Sequence, residues 1–527
     1  MPADMYDVLI AGYGPTGMMA AILLGRAGHK VAVIERHETL YNLPRVGIVH
    51  DDVLRMFQEI RIIDRVLPAT YFLPTYEMGF HGEVLLSNDV AEMETHGWPE
   101  MTSVYQPAFE AELDATTKSL TGVDVFQGWN VTGLHQNSDG VEVTAEDSNG
   151  TSRTFDGKYL IGADGGNSFV RAALEIGYED LGFDQAWLVV DGLQKRGRGN
   201  RPELRQFCEP EQPGMTMQMG PDHRRWSFMI FDDETPEEAL KPENIWKRLD
   251  RPEGGTAEDF EIIRAVNYQF RSLIAERWQD GRVFLAGDSA HQMPPFLAQG
   301  MCSGFRDSHN LAWKLDLVLH DLATPALLET YEAERAPNAR ATVIESMNVG
   351  QNVNERDPKK VRIRNDQLRA LQKKVDETGE KSLIAFRVPA LEAGLIGAND
   401  GGTGGGVHVG QGKIATRNRE GRFDDLVGHG FVIIARNGDA RAVLDPDTHA
   451  FWAELGGKIV HFGNPDRGLK DIDGYFTRLM DSLDCDVIVK RPDYYAFDTC
   501  KTVAGLPALL TNLRDLFNDP EKLKRPE

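Results

Sequence analysis

The sequence predicts an α/β protein: a parallel sheet wrapped by helices, an antiparallel sheet inserted into it, and a smaller α/β unit towards the C-terminal end. Three observations carry that expectation. Apolar runs that end in Gly/Asp turns recur at residues 6–11, 159–163 and 282–286, the pattern of strands buried on both faces. Short alternating runs separated by turns fill the stretch near 185–275. Beyond a glycine-rich break at 401–406, apolar runs at 431–435, 458–462 and 486–490 alternate with helical patterns.

Composition narrows the class. At roughly 150 residues per domain, the 527 residues allow about three domains, and a hydrophobic share of 41% supplies a sizeable core. A formal net charge of -24 speaks against a nucleic-acid partner, which needs clustered Lys and Arg. Cys208, Cys302, Cys485 and Cys500 are scattered, with no CxxC pair, so neither a disulfide framework nor a metal site is expected and a reducing cytoplasmic compartment is. The apolar stretch 8–24 follows Asp4 and Asp7 rather than basic residues, and Gly12, Gly14, Pro15 and Gly17 interrupt it. No other run approaches the roughly 18 apolar residues of a membrane span, so no membrane partner is expected.

Taken in order, the elements place three motifs. A strand over 6–11, a helix over 15–28 and a strand over 30–35 form a βαβ unit. Between the first two lies Gly12-Tyr-Gly14-Pro-Thr-Gly17: Gly12 permits the tight turn, Gly14 a close approach to a pyrophosphate, and Gly17 tight packing of helix on strand. The helix N-terminus offers free amides to phosphates, and Glu35 stands where a carboxylate can bind ribose hydroxyls. The second motif, Gly162-Ala-Asp164-Gly165, puts an acid and flexible glycines at a strand end, with Arg171 one turn beyond Ser168; it reads equally as a capped helix start.

In the inserted sheet, runs at 187–191, 215–219 and 226–230, the last two joined by Gly220-Pro-Asp-His223, make a natural wall for a substrate pocket. The third motif, Gly287-Asp288, follows the strand over 282–286. Asp288 can hold ribityl hydroxyls, Pro294 and Pro295 stiffen the loop, and Gly300, Met301 and Cys302 open a helix whose amides can stabilise negative charge on a reduced flavin. This motif separates FAD from NAD, which the first alone does not. The glycines at 401–406 lack a leading strand and a following helix, and read as a linker.

In this order and at these separations, the three motifs resemble those of the single-component (group A) FAD-dependent aromatic hydroxylases. Pro44-Arg45, Gln106-Pro-Ala-Phe-Glu110 and the run from Phe270 to Trp278 extend the likeness, strongly through about residue 345. The nearest branch is that of the 3-(3-hydroxyphenyl)propionate, phenol and resorcinol hydroxylases. The resemblance implies a Rossmann-like FAD-binding domain over 1–185 and 276–345, holding some substrate-domain segments near 68–105, with an inserted antiparallel β-sheet substrate domain over 186–275. A helical segment and linker over 346–406 and a C-terminal thioredoxin-like domain over 407–527, lacking CxxC, complete the chain; dimerisation or structural support is the role expected of the last. A homodimer is common among similar proteins.

By the same resemblance, Gly12, Gly14, Gly17, Glu35 and Arg36 hold the ADP half of FAD. Arg45 and Gln106 reach the pyrophosphate and ribityl region, Asp288 takes the ribityl chain, and Asp164 and Arg171 serve FAD or the nicotinamide. Pro295 and the amides of Gly300, Met301 and Cys302 border the isoalloxazine. The implied reaction takes a hydride from NADH or NADPH and, with O2, hydroxylates a phenolic ring through a flavin C4a-hydroperoxide; the protein supplies orientation and dryness. Two departures stand out: Ala298 where glycine is common, and Cys302 where asparagine is common.

The group that helps to deprotonate the phenol has as candidates His50, His81, Tyr105, His223 and His291; with Pro295, His50 and His291 form the expected catalytic set. The pocket wall is expected from Gln218, Trp226 and Phe228, with Pro295 and Phe296 opposite; Arg224 and Arg225 could meet a substrate carboxylate, but two adjacent arginines in a turn more often read as solvated. Competing readings are hydroxylation of a polycyclic, polyketide-type phenol, a flavin-dependent dehydrogenase or oxidase, and a non-enzymatic flavin-binding protein. A halogenase is not supported, since no WxWxIP segment is present.

Overall fold

The computed structural model describes residues 5–91, 95–197, 199–379, 386–397, 404–463 and 468–519. Of the glycine-rich break, residues 401–403 lie outside these.

The first sheet has the buried parallel centre that the apolar runs require. Tyr6–Ala11 lies between Ser152–Gly162 and Val31–Glu35, parallel to both; Val283–Leu285 extends one side and Val123–Gln127 the other, also in parallel. Helix Pro15–Arg26 begins with proline at its first turn, where a missing N–H costs nothing, and buries Met18, Met19, Ile22 and Leu24. Gly17 is what lets it sit so close: a Cβ there would stand 2.1 Å from the Gly12 carbonyl oxygen.

The second sheet has eight strands, centred on the long antiparallel pair Tyr178–Gln194 and Phe260–Ala275, then His223–Met229, Gly214–Met219 and Leu204–Phe207. Thr75–Phe80 and Glu83–Asp89, from the stretch expected to contribute to the substrate domain, add to its edge. One face packs Leu188, Val190, Trp226, Phe228 and Phe260 against Ile245 and Leu249 of helix Pro242–Leu249. The other face looks towards the first sheet.

Helix Gly300–Leu319 runs behind the first sheet, and Thr330–Asn354 follows it without a break at 346, so the expected domain boundary falls inside a helix. Asp357 caps the next helix, Pro358–Thr378, by accepting from the amides of Lys359 and Lys360, and Gly379 ends it. The C-terminal sheet is ordered Lys458–His461, Val432–Ala435, Val487–Lys490, Ala496–Cys500, the first pair parallel and the others antiparallel. With helices Pro446–Glu454, Tyr475–Ser482 and Leu506–Asn518 this is a β-α-β-α-β-β-α chain order, the thioredoxin-like topology.

Candidate cofactor and substrate site

Parallel pairing brings the motif-bearing strand ends together. Ala11 pairs with Gly162 and Ile34, and Gly162 with Leu285, so the three glycine turns leave one sheet edge side by side. The C-terminal edge of a parallel sheet is where such folds bind ligands. A single cavity of about 720 Å³ runs along this edge and continues beneath the second sheet.

At its first end are Gly12, Gly14, Glu35 and Arg36. Gly12 has φ 102°, and a Cβ there would meet the Ala163 carbonyl oxygen at 2.3 Å, so only glycine fits. Glu35 accepts from the amides of Tyr13 and His37, both at 2.8 Å, and its remaining lone pairs suit ribose hydroxyls. Gln106 takes the amides of Arg45 and Val46 on Oε1 at 2.8 and 2.5 Å and donates to Glu110 at 2.6 Å. It therefore fixes the loop that presents Arg45 to the cavity.

Asp164 also faces the cavity. Its Oδ2 accepts from the Val170 amide at 3.0 Å, while the buried Oδ1 has no partner. Burial pushes its carboxyl up, against hydrogen bonds from Ser168 and Val170. Arg171 does not join it: the guanidinium donates to the Ile176 carbonyl at 2.7 Å and stacks on Tyr178, away from the cavity walls. Asp288 is open to the cavity but enclosed on its other sides; burial raises its carboxyl, and the charges of His291 and Arg45 oppose that rise. The cradle at Gly12, the orphaned Asp164 Oδ1 and the inward Asp288 fit the pyrophosphate and polyol of FAD.

Further along, Pro295, Phe296, Ala298, Gly300 and Met301 form one wall. Ala298 has φ 56°, the left-handed region that glycine favours. Cys302 lies behind the wall, with Sγ donating to the Ala298 carbonyl at 3.5 Å and burial pushing the thiol up to about 12. Neither histidine of the expected catalytic set reaches the cavity. His50 is buried, its Nε2 3.2 Å from the Leu297 carbonyl, and burial pushes it down to about 4. His291 pairs with Asp307 at 2.7 Å and stacks on Trp278, bracing the loop from behind. His81, Tyr105 and His223 are not among the walls either; the last two stack on each other at 4.1 Å.

Where the second sheet lines the cavity, it uses the opposite strand parity to the one expected of a substrate wall. Trp226 and Phe228 point to the outer core under helix Pro242–Leu249, and Gln218 turns out to Gln194 and the carbonyls of Gly220 and Pro221. The inward positions are Val189, Met215, Met217 and Ser227, joined by Tyr76, Leu204, Gln206 and Phe270. Arg224 and Arg225 are buried in a strand rather than solvated in a turn. Arg225 makes a bidentate pair with Asp191 at 2.6 and 3.0 Å and holds the carbonyls of Pro44 and Arg45.

Residues 5–346 match the model of a family described as FAD binding domain, and residues 406–516 that of the HcaD C-terminal domain. A Rhodococcus jostii (strain RHA1) protein named probable NADH-specific resorcinol 4-hydroxylase is 36% identical over 513 residues, covering 96% of this chain and 94% of its own. The chain belongs to the FAD-dependent aromatic hydroxylases. The hydroxylase is also 30% identical, over 508 residues and 92% of its length, to 89% of a Mycolicibacterium smegmatis 3-(3-hydroxy-phenyl)propionate/3-hydroxycinnamic acid hydroxylase. Its fold is that of the flavin-dependent monooxygenase PieE, solved with FAD and substrate: TM-score 0.80 at 20% identity, covering 98% of this chain and all of that one (100%). The hydroxylase is thus an FAD-dependent monooxygenase of aromatic compounds, using a reduced nicotinamide and O2. Among its described residues no helix is long and apolar enough to cross a membrane.

Proposed function

We propose that the hydroxylase adds one hydroxyl to a single-ring phenol, with NADH as electron donor, in cytoplasmic aromatic catabolism. The observation that carries this reading is one continuous cavity that passes from Gly12 and Glu35, by Asp288, into a chamber walled by Met215, Met217, Phe270 and Phe296. When bound, FAD accepts the hydride and activates oxygen for transfer to the ring.

The chain's own residues do the rest. Glu35, Arg45 and Asp288 bind and align the cofactor's polar parts, each on a rigid strand end or braced loop. The amides of Gly300 and Met301 open a helix towards the cavity and favour negative charge there. Methionine and aromatic walls exclude water from the ring's side and hold the ring against Pro295. The preference for NADH rests on the relative named for it.

The test is anaerobic reduction of the FAD-loaded protein, followed by loss of flavin absorbance. Reduction by NADH that a simple phenol accelerates is expected. Reduction that prefers NADPH, or that ignores the phenol, contradicts the reading.

A further inference from the structure

The chamber differs from the rest of the cavity in its polar groups. Its walls are mostly apolar, yet two of the side chains that line it carry buried oxygens without a well-formed hydrogen bond: Tyr76 Oη and Gln206 Oε1. Tyr76 is 4% exposed and Gln206 2% exposed. They are neighbours: Thr75–Phe80 and Leu204–Phe207 pair in parallel, with Gln206 opposite Met78, so Tyr76 and Gln206 project from adjacent strands. Buried polar atoms are rarely left unpaired without a reason, and a ligand hydroxyl is the partner that such a pair in a cavity wall suits. Burial and the neighbouring Cys208 push the Tyr76 hydroxyl up, and the Gln206 side chain, close enough to share a weak hydrogen bond with it, opposes that rise, so Tyr76 is a neutral hydrogen-bonding group rather than a base.

Charge gives the second observation. Among the described residues the basic side chains lining the cavity are Arg36, His37, Arg45 and Arg225. Arg36 and His37 follow Glu35 at the nucleotide end, and Arg45 faces Glu110 and bears on Asp288. Arg225, beside the chamber, has Nε, Nη1 and Nη2 all committed to Asp191, Pro44 and Arg45. No free cation is left there for a carboxylate, and burying an unpaired carboxylate among methionines is strongly unfavourable.

We propose that the chamber takes an uncharged phenol bearing a second ring hydroxyl, recognised by Tyr76 and Gln206, and rejects phenols with a carboxylate side chain. This rests on the phenol-hydroxylating reading above and narrows its substrate class. Two of the relatives differ in just this respect, one being named for resorcinol and the other for a phenylpropionate.

The experiment uses the full-length, FAD-loaded protein and three probes: 1,3-dihydroxybenzene, 3-methylphenol and 3-(3-hydroxyphenyl)propionate. Binding is read from the perturbation of flavin absorbance, and hydroxylation separately from product. The dihydroxybenzene is expected to bind about 10-fold more tightly than 3-methylphenol, and the carboxylate about 100-fold more weakly than the dihydroxybenzene. Tyr76→Phe and Gln206→Met each weaken the dihydroxybenzene about 10-fold and leave 3-methylphenol within about twofold. Flavin content per chain checks that both variants fold. Equal or better binding of the carboxylate, equal weakening of both uncharged rings, or no binding of any probe overturns the proposal. Binding in the expected pattern without oxygen transfer leaves it standing and removes the hydroxylase reading instead.

Discussion

Gly12 and Ala298 show how single backbone positions decide the cofactor site. Gly12→Ala places a methyl group 2.3 Å from a carbonyl oxygen at a φ of 102°, so the purified variant is expected to carry little or no flavin, read as the absorbance ratio of flavin to protein. Ala298 holds a left-handed conformation that costs an L-residue about 1 kcal/mol. Ala298→Gly relieves it, less the extra freedom gained by the unfolded chain, and is expected to leave stability unchanged or raise it by up to about 1 kcal/mol in denaturant titration. A clear loss would show that the methyl group packs usefully. Asp288→Ala removes the acceptor turned into the cavity and is expected to weaken FAD by about 10- to 100-fold, measured by flavin fluorescence.

At the cofactor end these residues were legible because ligand geometry fixes their spacing locally: a turn, a helix start and an acid at the end of the next strand. The chamber was not. Gly214–Met219 is buried at every position, so its alternation does not say which parity faces the cavity. Gln218, Trp226 and Phe228 were expected in the wall, whereas the strand pairing turns Met215, Met217 and Ser227 inward. Arg225 looked solvated because its partner, Asp191, lies 34 residues away.

Among the elements, helix Gly300–Leu319 is tied to the Asp288 turn by one carboxylate. Asp307 accepts from the Gly287 amide at 2.9 Å, His291 at 2.7 Å and Arg335 at 2.9 Å, tying the helix to the Asp288 turn. All three side chains are buried. Asp307→Ala leaves Arg335 buried without its counter-charge, at a cost of about 3–5 kcal/mol. A fall in thermal midpoint together with loss of bound flavin is the expected outcome; loss of stability with flavin retained would mean that the helix keeps its place without this tie. Nothing local in the sequence shows the hub, because its members come from three segments.

On the scale of the whole molecule, the thioredoxin-like domain is locked to the flavin-binding part through buried charge. Arg55 pairs with Asp424 at 2.6 and 3.0 Å and stacks on Tyr494, while Glu334 takes Arg491 and Lys314. We propose structural support as this domain's role. His96 and His408, 3.0 Å apart in the same seam, are held by burial well below the ordinary histidine range. The unfolded chain takes up those protons as pH falls below about 6.5, whereas the folded chain does not until lower pH, so stability drops over that interval. Carboxylates held low in the same seam, Glu59 and Asp424, extend the loss below about pH 4.5, while Asp51, which accepts the His96 amide and is pushed well up by burial, offsets part of it. A thermal midpoint steady from pH 8 to 6.5 and falling towards pH 5 is expected; a flat profile to pH 5 would contradict the neutral-histidine seam.

The most direct test is isotopic. The FAD-loaded protein, given NADH and 1,3-dihydroxybenzene under ¹⁸O2, is predicted to release a product carrying one heavy oxygen from the gas, seen by mass spectrometry. NADH consumption that ends in hydrogen peroxide, with the ring unlabelled, would contradict the account.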